Sequence, residues 1–241
     1  MRTLVVLPTY QEAENVAEVL RRLRAAVPDA DVLVVDDASP DGTAEVAKAV
    51  GQELGQVDVL VRAGKAGLGS AYRSGFAEGL AHGYELVVEM DSDLSHDPAA
   101  LPTLLAAVQD GADLAIGSRY IPGGSIPRWS FGRRFLSRWG NRYAAWALRL
   151  GVHDATSGFR AYRASALAGI DLDRVRADGY GFQIEMAHLV SRNGGKVVER
   201  PIEFVDRQRG SSKMSSRIIL EALALVTWWG VRDRVPALRR R

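Results

Sequence analysis

The chain has 241 residues, of which 47% are apolar and 25% charged, which is typical of a folded globular domain and excludes disordered, collagen-like and coiled-coil proteins. It contains no cysteine, which excludes disulfides, thiolate nucleophiles and cysteine-based metal sites. The net charge of +2 hides an asymmetry, because residues 1–120 hold 9 Lys/Arg against 19 Asp/Glu and residues 121–241 hold 22 against 10. The second half is therefore expected to face phosphates or a lipid surface.

Neither the N-terminus nor the late apolar stretch predicts export or membrane insertion. Residues 1–8 lack the apolar region of a signal peptide. The most apolar late segment, 218–231, contains Glu221 and is shorter than the ~20 residues that a spanning helix needs. We expect a protein that stays in the cytoplasm and meets a membrane only peripherally.

Short apolar runs alternate with amphipathic segments through the first 116 residues. The runs predict strands at 3–7, 31–35, 57–61, 86–90 and 114–116, and the amphipathic segments predict helices at 12–26, 42–50, 69–82 and 99–109. This alternation predicts an α/β fold with a Rossmann-like, mostly parallel sheet flanked by helices. Ligands of such sheets bind beyond the carboxyl ends of the strands.

The pattern changes after residue 120. A loop rich in glycine and proline leads to an amphipathic segment at 130–150, and further on the sequence predicts a helix at 182–192 and a strand near 196–204. Residues 207–216 lack periodicity and predict a mobile loop, which a last helix at 217–231 and an arginine-rich tail follow.

Polar residues follow three of the predicted strands at the point where each strand ends: Pro8-Thr9-Tyr10, Asp36-Asp37 and Asp91-Ser92-Asp93. Two carboxylates one residue apart suit a hard divalent cation that also binds substrate phosphates. Adjacent acids at the same edge suit a base, a ribose or a metal-bound ligand.

Both acidic motifs also have a purely structural interpretation. Asp91-Ser92-Asp93 has the composition of a turn and cap ahead of Asp97-Pro98. Asp36-Asp37 has the composition of a cluster that caps the helix after Gly42, with Ser39 or Asp41 as the cap. The sequence leaves these alternatives open.

The segment 130–150 predicts a helix with one aromatic face. Its large residues step by four, four, four, three and four and form a stripe made of Phe131, Phe135, Trp139, Tyr143, Trp146 and Leu150. Arg134, Arg138 and Arg142 form a line beside it. This pattern is typical of a helix in a membrane interface, but a stripe that packs on the sheet, or that is core at one end and membrane at the other, has the same spacing.

Ordered motifs along most of the chain carry a resemblance to a known family. Pro8-Thr9-Tyr10 with Glu12, followed by Asp36-Asp37, resembles the opening of the inverting glycosyltransferase family 2, which has the GT-A fold. Later blocks look like the dolichol-phosphate (polyprenol monophosphate) mannose synthases within it: Gly67-Leu68-Gly69, Met90-Asp91-Ser92-Asp93, Gly117-Ser118-Arg119-Tyr120, Asp154-x-Thr156-Ser157-Gly158-Phe159-Arg160, Gly181-Phe182-Gln183 and Phe204-Val205-Asp206-Arg207.

The resemblance implies a role for residues that match the family's motifs. It implies a GT-A catalytic domain over 1–215 that includes the interface helix 130–150, and a C-terminal amphipathic helix and basic tail over 216–241. It assigns Mg²⁺ or Mn²⁺ to Asp91, Asp93 and Ser95, although Ser95 is a shorter and weaker ligand than the Gln of some relatives. It assigns donor-binding roles to Pro8, Tyr10, Glu12, Val35, Asp37, Asp91, Ser92, Asp93, Arg207 and Lys213.

Cations in the second half are the candidates for binding phosphates. Arg119 and Arg133, with Ser137 beside them, are expected at the acceptor phosphate, and Arg119 is expected to act in catalysis together with Asp91 and Asp93. Solvated surface charge remains an alternative for Arg133 and Lys213, and Arg134 is able to substitute for Arg133.

The resemblance implies transfer of mannose from GDP-mannose to a polyprenyl or dolichyl phosphate, with inversion. An acceptor phosphate is already anionic near neutral pH, so it needs no strong general base. Partners are expected to include a membrane surface and a separate anchoring or downstream transferase protein, but no nucleic acid. Two alternatives stay open: a prenyl-phosphate transferase that uses UDP-glucose or another UDP-sugar, and an inactive nucleotide-sugar-binding scaffold.

Overall fold

The computed structural model describes residues 1–206 and 216–235. The predicted donor cations Arg207 and Lys213, the rest of the predicted mobile loop up to residue 215 and the arginines of the tail, 239–241, lie outside the described residues. The described strands are β1 (Thr3–Thr9), β2 (Asp31–Asp36), β3 (Val57–Val61), β4 (Leu86–Glu89), β5 (Leu114–Ser118), β6 (Arg160–Arg163) and β7 (Val197–Pro201). The described α-helices are α1 (Val16–Ala26), α2 (Thr43–Leu54), α3 (Leu68–Ala81), α4 (Leu101–Gln109), α5 (Phe131–Leu148), α6 (Ala164–Ala168), α7 (Gly179–Arg192) and α8 (Ser216–Arg234).

The strands form one mixed sheet in the order β3-β2-β1-β4-β6-β5-β7. All neighbours pair in parallel except β6, which runs antiparallel to both β4 and β5. The prediction of a mostly parallel α/β sheet is confirmed. Strands β1, β2 and β4 run parallel and have their carboxyl ends at the same edge, which brings together the polar residues that follow them.

Strand β6 was not predicted, because a strand with arginine at both ends does not have the composition of a central strand. Arg160 is nevertheless fully buried and lies 3.3 Å from the equally buried Glu89 of β4. Its guanidinium also donates to the carbonyl oxygens of Ala155, Ser157 and Gln183. These partners satisfy the buried cation, and Glu89 and Gln183 are too distant in sequence for a local pattern to reveal them.

Helices cover both faces of the sheet, as the alternation predicted. On one face, α1, α2 and α4 pack over Val5 and Leu7 of β1. On the other face, α3, α5, α7 and α8 pack over Leu4 and Val6 of the same strand. Alternate residues of β1 thus face two separate cores, which explains why the strand is apolar throughout.

The aromatic stripe of α5 does not pack on the sheet. The helix buries Asn141, Ala144, Ala147 and Leu148, whereas the stripe residues Phe131, Phe135, Trp139 and Trp146 are 86%, 63%, 47% and 69% exposed. At the far end Leu150 is buried, so the stripe leaves the exposed face there. Helix α8 packs beside α5 and adds further exposed apolar residues: Leu220, Trp228 and Val231.

Within residues 1–206 and 216–235, no helix is both long enough and apolar enough to cross a bilayer.

Candidate active site

The two carboxylates that follow β4 lie at the centre of the candidate site. Asp91 Oδ1 accepts a hydrogen bond from the buried hydroxyl of Tyr72 at 3.0 Å, and Asp93 Oδ1 accepts one from the backbone N–H of Ser95 at 2.9 Å. Asp93 is buried, whereas the side chain of Asp91 is 29% exposed. Both line the same two cavities. Asp93 therefore stabilises the turn, and both carboxylates also face the cavities.

The turn that follows is stabilised by other residues. The Asp97 carboxylate accepts from the backbone N–H of Ala99 and caps a short 3₁₀ turn at Pro98–Ala100. The buried His96 ring lies 3.8 Å from Asp91 and contacts the rings of Phe159 and Phe204. Capping is thus assigned to Asp97, which leaves Asp91 and Asp93 facing the cavity.

The acids at the end of β2 divide their roles in the same way. Asp36 is fully buried and accepts from Thr9 and from Ser39, so it stabilises the turn. Asp41 accepts from Thr43 at the start of α2. Asp37 instead lines the neighbouring cleft, where it pairs with Arg62 at 3.0 Å.

That cleft has a volume of about 390 Å³ and contains most of the predicted donor-binding residues. Its walls include Pro8, Tyr10, Glu12, Asp37 and all three residues of the motif Asp91-Ser92-Asp93. The ammonium of Lys65 stands 4.1 Å from the centre of the Tyr10 ring, within the same cleft. Val35 does not line it, because its side chain is buried in the core with Tyr72.

A buried arginine closes the opposite side of the site. Arg119, directly after β5, forms a fork with Asp154: its Nε and Nη2 atoms donate to the two carboxylate oxygens at 2.7 and 2.6 Å. Its Nη2 atom also donates to Thr156. Burial alone would lower the pKa of the guanidinium, but Asp154 raises it above its ordinary value, so Arg119 is a permanent cation. The rings of Tyr120, Trp129 and Phe204 surround it.

A second arginine stands nearer to solvent. Arg133, in the first turn of α5, lies 3.9 Å above the Trp129 ring and 3.0 Å from Asp206. Ser137, one turn further along, accepts a hydrogen bond from the Tyr120 hydroxyl at 2.7 Å. Arg134 turns away and donates to the Ile126 carbonyl, and it lines neither of the cavities near Arg133. The structure thus favours Arg133 over Arg134 as the ligand-facing residue.

Three cavities join these parts into one path. The cleft at Tyr10 shares Asp91, Asp93 and Gly179 with a central cavity of about 320 Å³ that also contains Ser95 and Arg119. The central cavity shares Trp129, Arg133, Thr156 and Tyr180 with a groove of about 340 Å³ between α5 and α8. Apolar side chains line most of this groove: Leu136, Trp139, Tyr143, Ile219, Ala222, Leu223 and Val226.

A model of the family described as "Glycosyl transferase family 2" matches residues 4–170. The chain belongs to this family. Among curated relatives, the undecaprenyl-phosphate mannosyltransferase of Micrococcus luteus is 50% identical over all of this chain and 99% of its own length. The polyprenol monophosphomannose synthase of Mycolicibacterium smegmatis is 48% identical over 99% of this chain and 90% of its own. The dolichol-phosphate mannosyltransferase of Pyrococcus furiosus is 38% identical over 98% of this chain and 66% of its own.

Solved structures agree with the GT-A fold. The crystal structure of glucosyl-3-phosphoglycerate synthase from Mycobacterium tuberculosis, in complex with Mn²⁺, UDP-glucose and phosphoglyceric acid, superposes with a TM-score of 0.69. It is 21% identical, over 95% of this chain and 80% of that one. The predicted resemblance to polyprenyl-phosphate mannose synthases, and the predicted glycosyltransferase fold, are therefore confirmed.

Several residues of this glycosyltransferase site were not singled out from the sequence. Asp154 and Asp206 were part of family motifs without a role, and Trp129 and Tyr180 were not named. The available signals were the positions of Asp154 and Asp206 within those motifs. Their roles depend on contacts across 35 to 77 residues of sequence, which spacing does not reveal.

Proposed function

We propose that the chain transfers mannose from GDP-mannose to the phosphate of a polyprenyl or dolichyl monophosphate, with inversion at the anomeric carbon. The observation that carries the proposal is the order of the three cavities. A polar cleft at the ends of β1 and β2 leads past two carboxylates to two arginines, and from there to an apolar groove. The polar cleft suits a nucleotide, and the two carboxylates suit a metal-bound diphosphate. The arginines suit a phosphate, and the apolar groove suits a prenyl chain. The names of the relatives support the transfer of mannose and a polyprenyl-phosphate acceptor.

The guanosine end of the donor belongs to the cleft at Tyr10. Glu12 and Asp37 supply carboxylates that accept hydrogen bonds from base and ribose, and Tyr10 supplies a flat apolar surface. Val35 has its side chain in the core, so any role for it is through its backbone. Arg207 and Lys213 remain proposed donor ligands from the family motif alone.

The donor set at Asp91 and Asp93 fits Mg²⁺ or Mn²⁺. Within residues 1–206 and 216–235, no group of three or more His, Asp or Glu side chains converges as a self-sufficient metal site. Two carboxylates and the Ser95 hydroxyl are a partial set, which a substrate diphosphate completes. A bound divalent cation would neutralise the charge that develops on the leaving diphosphate.

The acceptor phosphate belongs between Arg119 and Arg133, with Ser137 beside it. Its second pKa is about 6, so its oxygen is anionic at neutral pH and attacks without a general base. The new bond joins that oxygen to the anomeric carbon, while the bond from this carbon to the diphosphate oxygen breaks and its electron pair leaves with GDP. No proton has to move. Arg119, held by Asp154, and the more exposed Arg133 together hold the acceptor phosphate in line with the anomeric carbon.

The groove between α5 and α8 holds the first part of the prenyl chain in this proposal. It opens onto the exposed stripe of α5, next to exposed apolar residues of α8. We propose that this surface lies in the membrane interface on the cytoplasmic face, where the α5 arginines meet anionic lipid phosphates. The lipid acceptor then reaches Arg133 without leaving the bilayer.

Transfer of radiolabel tests the proposal. Purified protein is supplied with GDP-mannose, UDP-glucose or UDP-N-acetylglucosamine, a short prenyl phosphate and Mg²⁺ or Mn²⁺, and label that enters the organic phase is counted with and without chelator. We expect chelator-sensitive labelling from GDP-mannose alone. Labelling only from a UDP-sugar would overturn the donor assignment, and no labelling from any donor, with or without vesicles, would favour the inactive scaffold.

A further inference from the structure

A fourth cavity lies away from the candidate active site, where the C-terminal ends of α5, α7 and α8 meet. It has a volume of about 430 Å³ and shares no lining residue with the three cavities of the site. Arg149, which follows α5, lines it, whereas Arg133 at the start of α5 lines the active site. The helical rise separates these two arginines by roughly 24 Å.

The lining of this cavity is strongly cationic. Arg149, Arg192 and Arg234 contribute guanidinium groups, and Asp233 is its one acidic lining residue among the described part of the chain. Asp233 lies 2.8 Å from His188 and 3.5 Å from Arg192, so its charge is already engaged. Burial lowers the pKa of His188, so the ring adds no charge at neutral pH. The cavity therefore has an excess of positive charge.

Part of this charge has a local explanation. Helix C-termini attract cations, and Arg234 donates to the carbonyl oxygens of Gly230 and Trp146. Arg149 and Arg192 are different, because both are exposed and neither donates a hydrogen bond to a helix carbonyl within residues 1–206 and 216–235. Arg192 contacts Asp233 through its Nη1 atom at 3.5 Å, so its remaining N–H groups, together with the guanidinium of Arg149, can bind an anion in the cavity.

The surroundings of the cavity indicate where that anion comes from. The Arg234 guanidinium lies 5.3 Å from the centre of the Trp146 ring, and Trp146 is 69% exposed in the aromatic stripe of α5. Val231 and Val235 of α8 are exposed as well. Arginine next to exposed tryptophan and valine is typical of protein surfaces at the headgroup level of a bilayer.

We infer that the cavity at Arg149 and Arg192 binds the phosphate of an anionic phospholipid headgroup, and thereby fixes how α5 and α8 lie on the membrane. This inference rests on the peripheral membrane contact in the proposed function and adds a second, non-substrate phosphate site to it. With the headgroup bound at one end of α5 and the acceptor at the other, the length of the helix lies along the bilayer surface.

Binding to vesicles tests the inference with the full chain. The double variant Arg149→Gln/Arg192→Gln removes the two available cations, and Ser191→Trp fills the cavity without changing the charge. The matched control Arg21→Gln/Arg22→Gln removes two exposed arginines of α1, which packs on the opposite face of the sheet. Each protein is sedimented with phosphatidylcholine vesicles, with or without phosphatidylglycerol, and assayed for mannosyl transfer to a short prenyl phosphate in detergent.

The extra affinity for phosphatidylglycerol is expected to fall roughly 25-fold in the double variant, since each arginine near an anionic surface contributes about fivefold. Ser191→Trp should lose a similar share, and the α1 control should behave like the unmodified protein. Mannosyl transfer in detergent should be the same in all variants and in the unmodified protein. If the proposed function is wrong, the unmodified protein shows no transfer in detergent, whereas the vesicle assay still tests the headgroup site. Retained binding by the double variant or by Ser191→Trp would overturn the inference.

A thermal-shift titration with inorganic phosphate and with glycerol phosphate separates the two sources of the anion. Stabilisation of the unmodified protein but not of the double variant, together with the loss on vesicles, supports a headgroup site. The same stabilisation without any effect of the double variant on vesicles would mean a site for a free anion, and would overturn the lipid assignment.

Discussion

The proposed donor side and the proposed acceptor side of the site position their charges in different ways. On the donor side, Asp37, Asp91 and Asp93 directly follow parallel strands, and backbone or buried hydroxyl groups fix them. On the acceptor side, Arg119 is fixed by a buried carboxylate from a distant loop, and Arg133 stands on an exposed helix. Sheet topology therefore brings the carboxylates together, whereas Arg119 depends on a long-range pair and Arg133 on an exposed position of α5.

The largest effect is expected on the donor side. Asp93→Ala removes a proposed ligand of the cation at the leaving diphosphate, which contributes several kcal/mol to catalysis, so we expect transfer to fall by about 10³-fold. Steady-state transfer of labelled mannose checks this. Asp97→Ala is the matched control, because it deletes a carboxylate of the same turn that only caps a 3₁₀ helix. Full activity in Asp93→Ala would contradict the assignment of Asp93 as a metal ligand. It would also contradict the proposed difference between the donor and acceptor sides.

The buried pair on the acceptor side gives the next effect. Asp154→Asn leaves Arg119 buried without its counter-charge, which should destabilise the protein by about 3–5 kcal/mol and raise the KM for prenyl phosphate more than that for GDP-mannose. Urea unfolding and kinetics at low temperature measure the two quantities. Asp171→Asn, in an exposed pair with Arg174, should change neither by much.

The same pair predicts a dependence of stability on pH. Burial would raise the pKa of Asp154, but Arg119 holds it below the ordinary value of 3.8. The ionised carboxylate therefore stabilises the fold fully above that pH and loses its contribution as the pH falls further. The difference in unfolding free energy between Asp154→Asn and the unmodified protein should be constant from pH 5 to 7 and shrink below 3.8. A difference that grows in acid would contradict the assigned direction.

Arg133 sharpens the comparison, because it is the exposed counterpart of Arg119. Its pair with Asp206 is open to solvent, so Arg133→Gln should leave stability nearly unchanged. The KM for prenyl phosphate is expected to rise about tenfold, as for the loss of one charged hydrogen bond, with the KM for GDP-mannose unaffected. Arg134→Gln, which removes a neighbouring charge outside the cavities, should have no such effect. Equal effects of the two variants would mean that only the net charge of α5 matters.

The smallest effect is expected in the apolar groove. Gly140 lines it, and a Cβ at this position meets no atom within 4 Å, so the backbone accepts a side chain here and Gly140→Leu adds apolar volume to the groove. We expect a several-fold rise in KM for a long prenyl phosphate, little change for a short one, and a fold at least as stable, since leucine favours a helix over glycine. Gly132→Leu, at an equally open position of the same helix, is the control. An unchanged KM in Gly140→Leu would exclude the groove as the chain-binding surface.

The sequence predicts the features that depend on local pattern and misses those that depend on contacts between distant residues. The alternation of strands and helices, and the three strand ends that carry Pro8, Asp37 and Asp91, depend on local pattern and are visible from spacing. Strand β6 was missed, because Arg160 becomes acceptable in a core only through tertiary partners, among them Glu89, 71 residues earlier in the chain, and the carbonyl of Gln183.

Helix α5 shows the remaining limit. Its periodicity predicted one aromatic stripe correctly, as the periodicity of α1 predicted Val16, Val19 and Leu20 on one face. The α1 stripe is buried, whereas most of the α5 stripe is exposed. Periodicity reveals that a face exists, and only the tertiary structure reveals whether that face meets the core or the solvent.

The most direct test of the central claim follows the reaction itself by NMR. GDP-mannose, a short prenyl phosphate, Mg²⁺ and the protein are mixed, and ³¹P and ¹H spectra are recorded until the donor is consumed. The account predicts GDP and a β-linked mannosyl phosphodiester in equal amounts, with the phosphate monoester signal lost at the same rate. Free mannose with an unchanged prenyl phosphate, or an α-linked product, would contradict direct inverting attack by the acceptor phosphate.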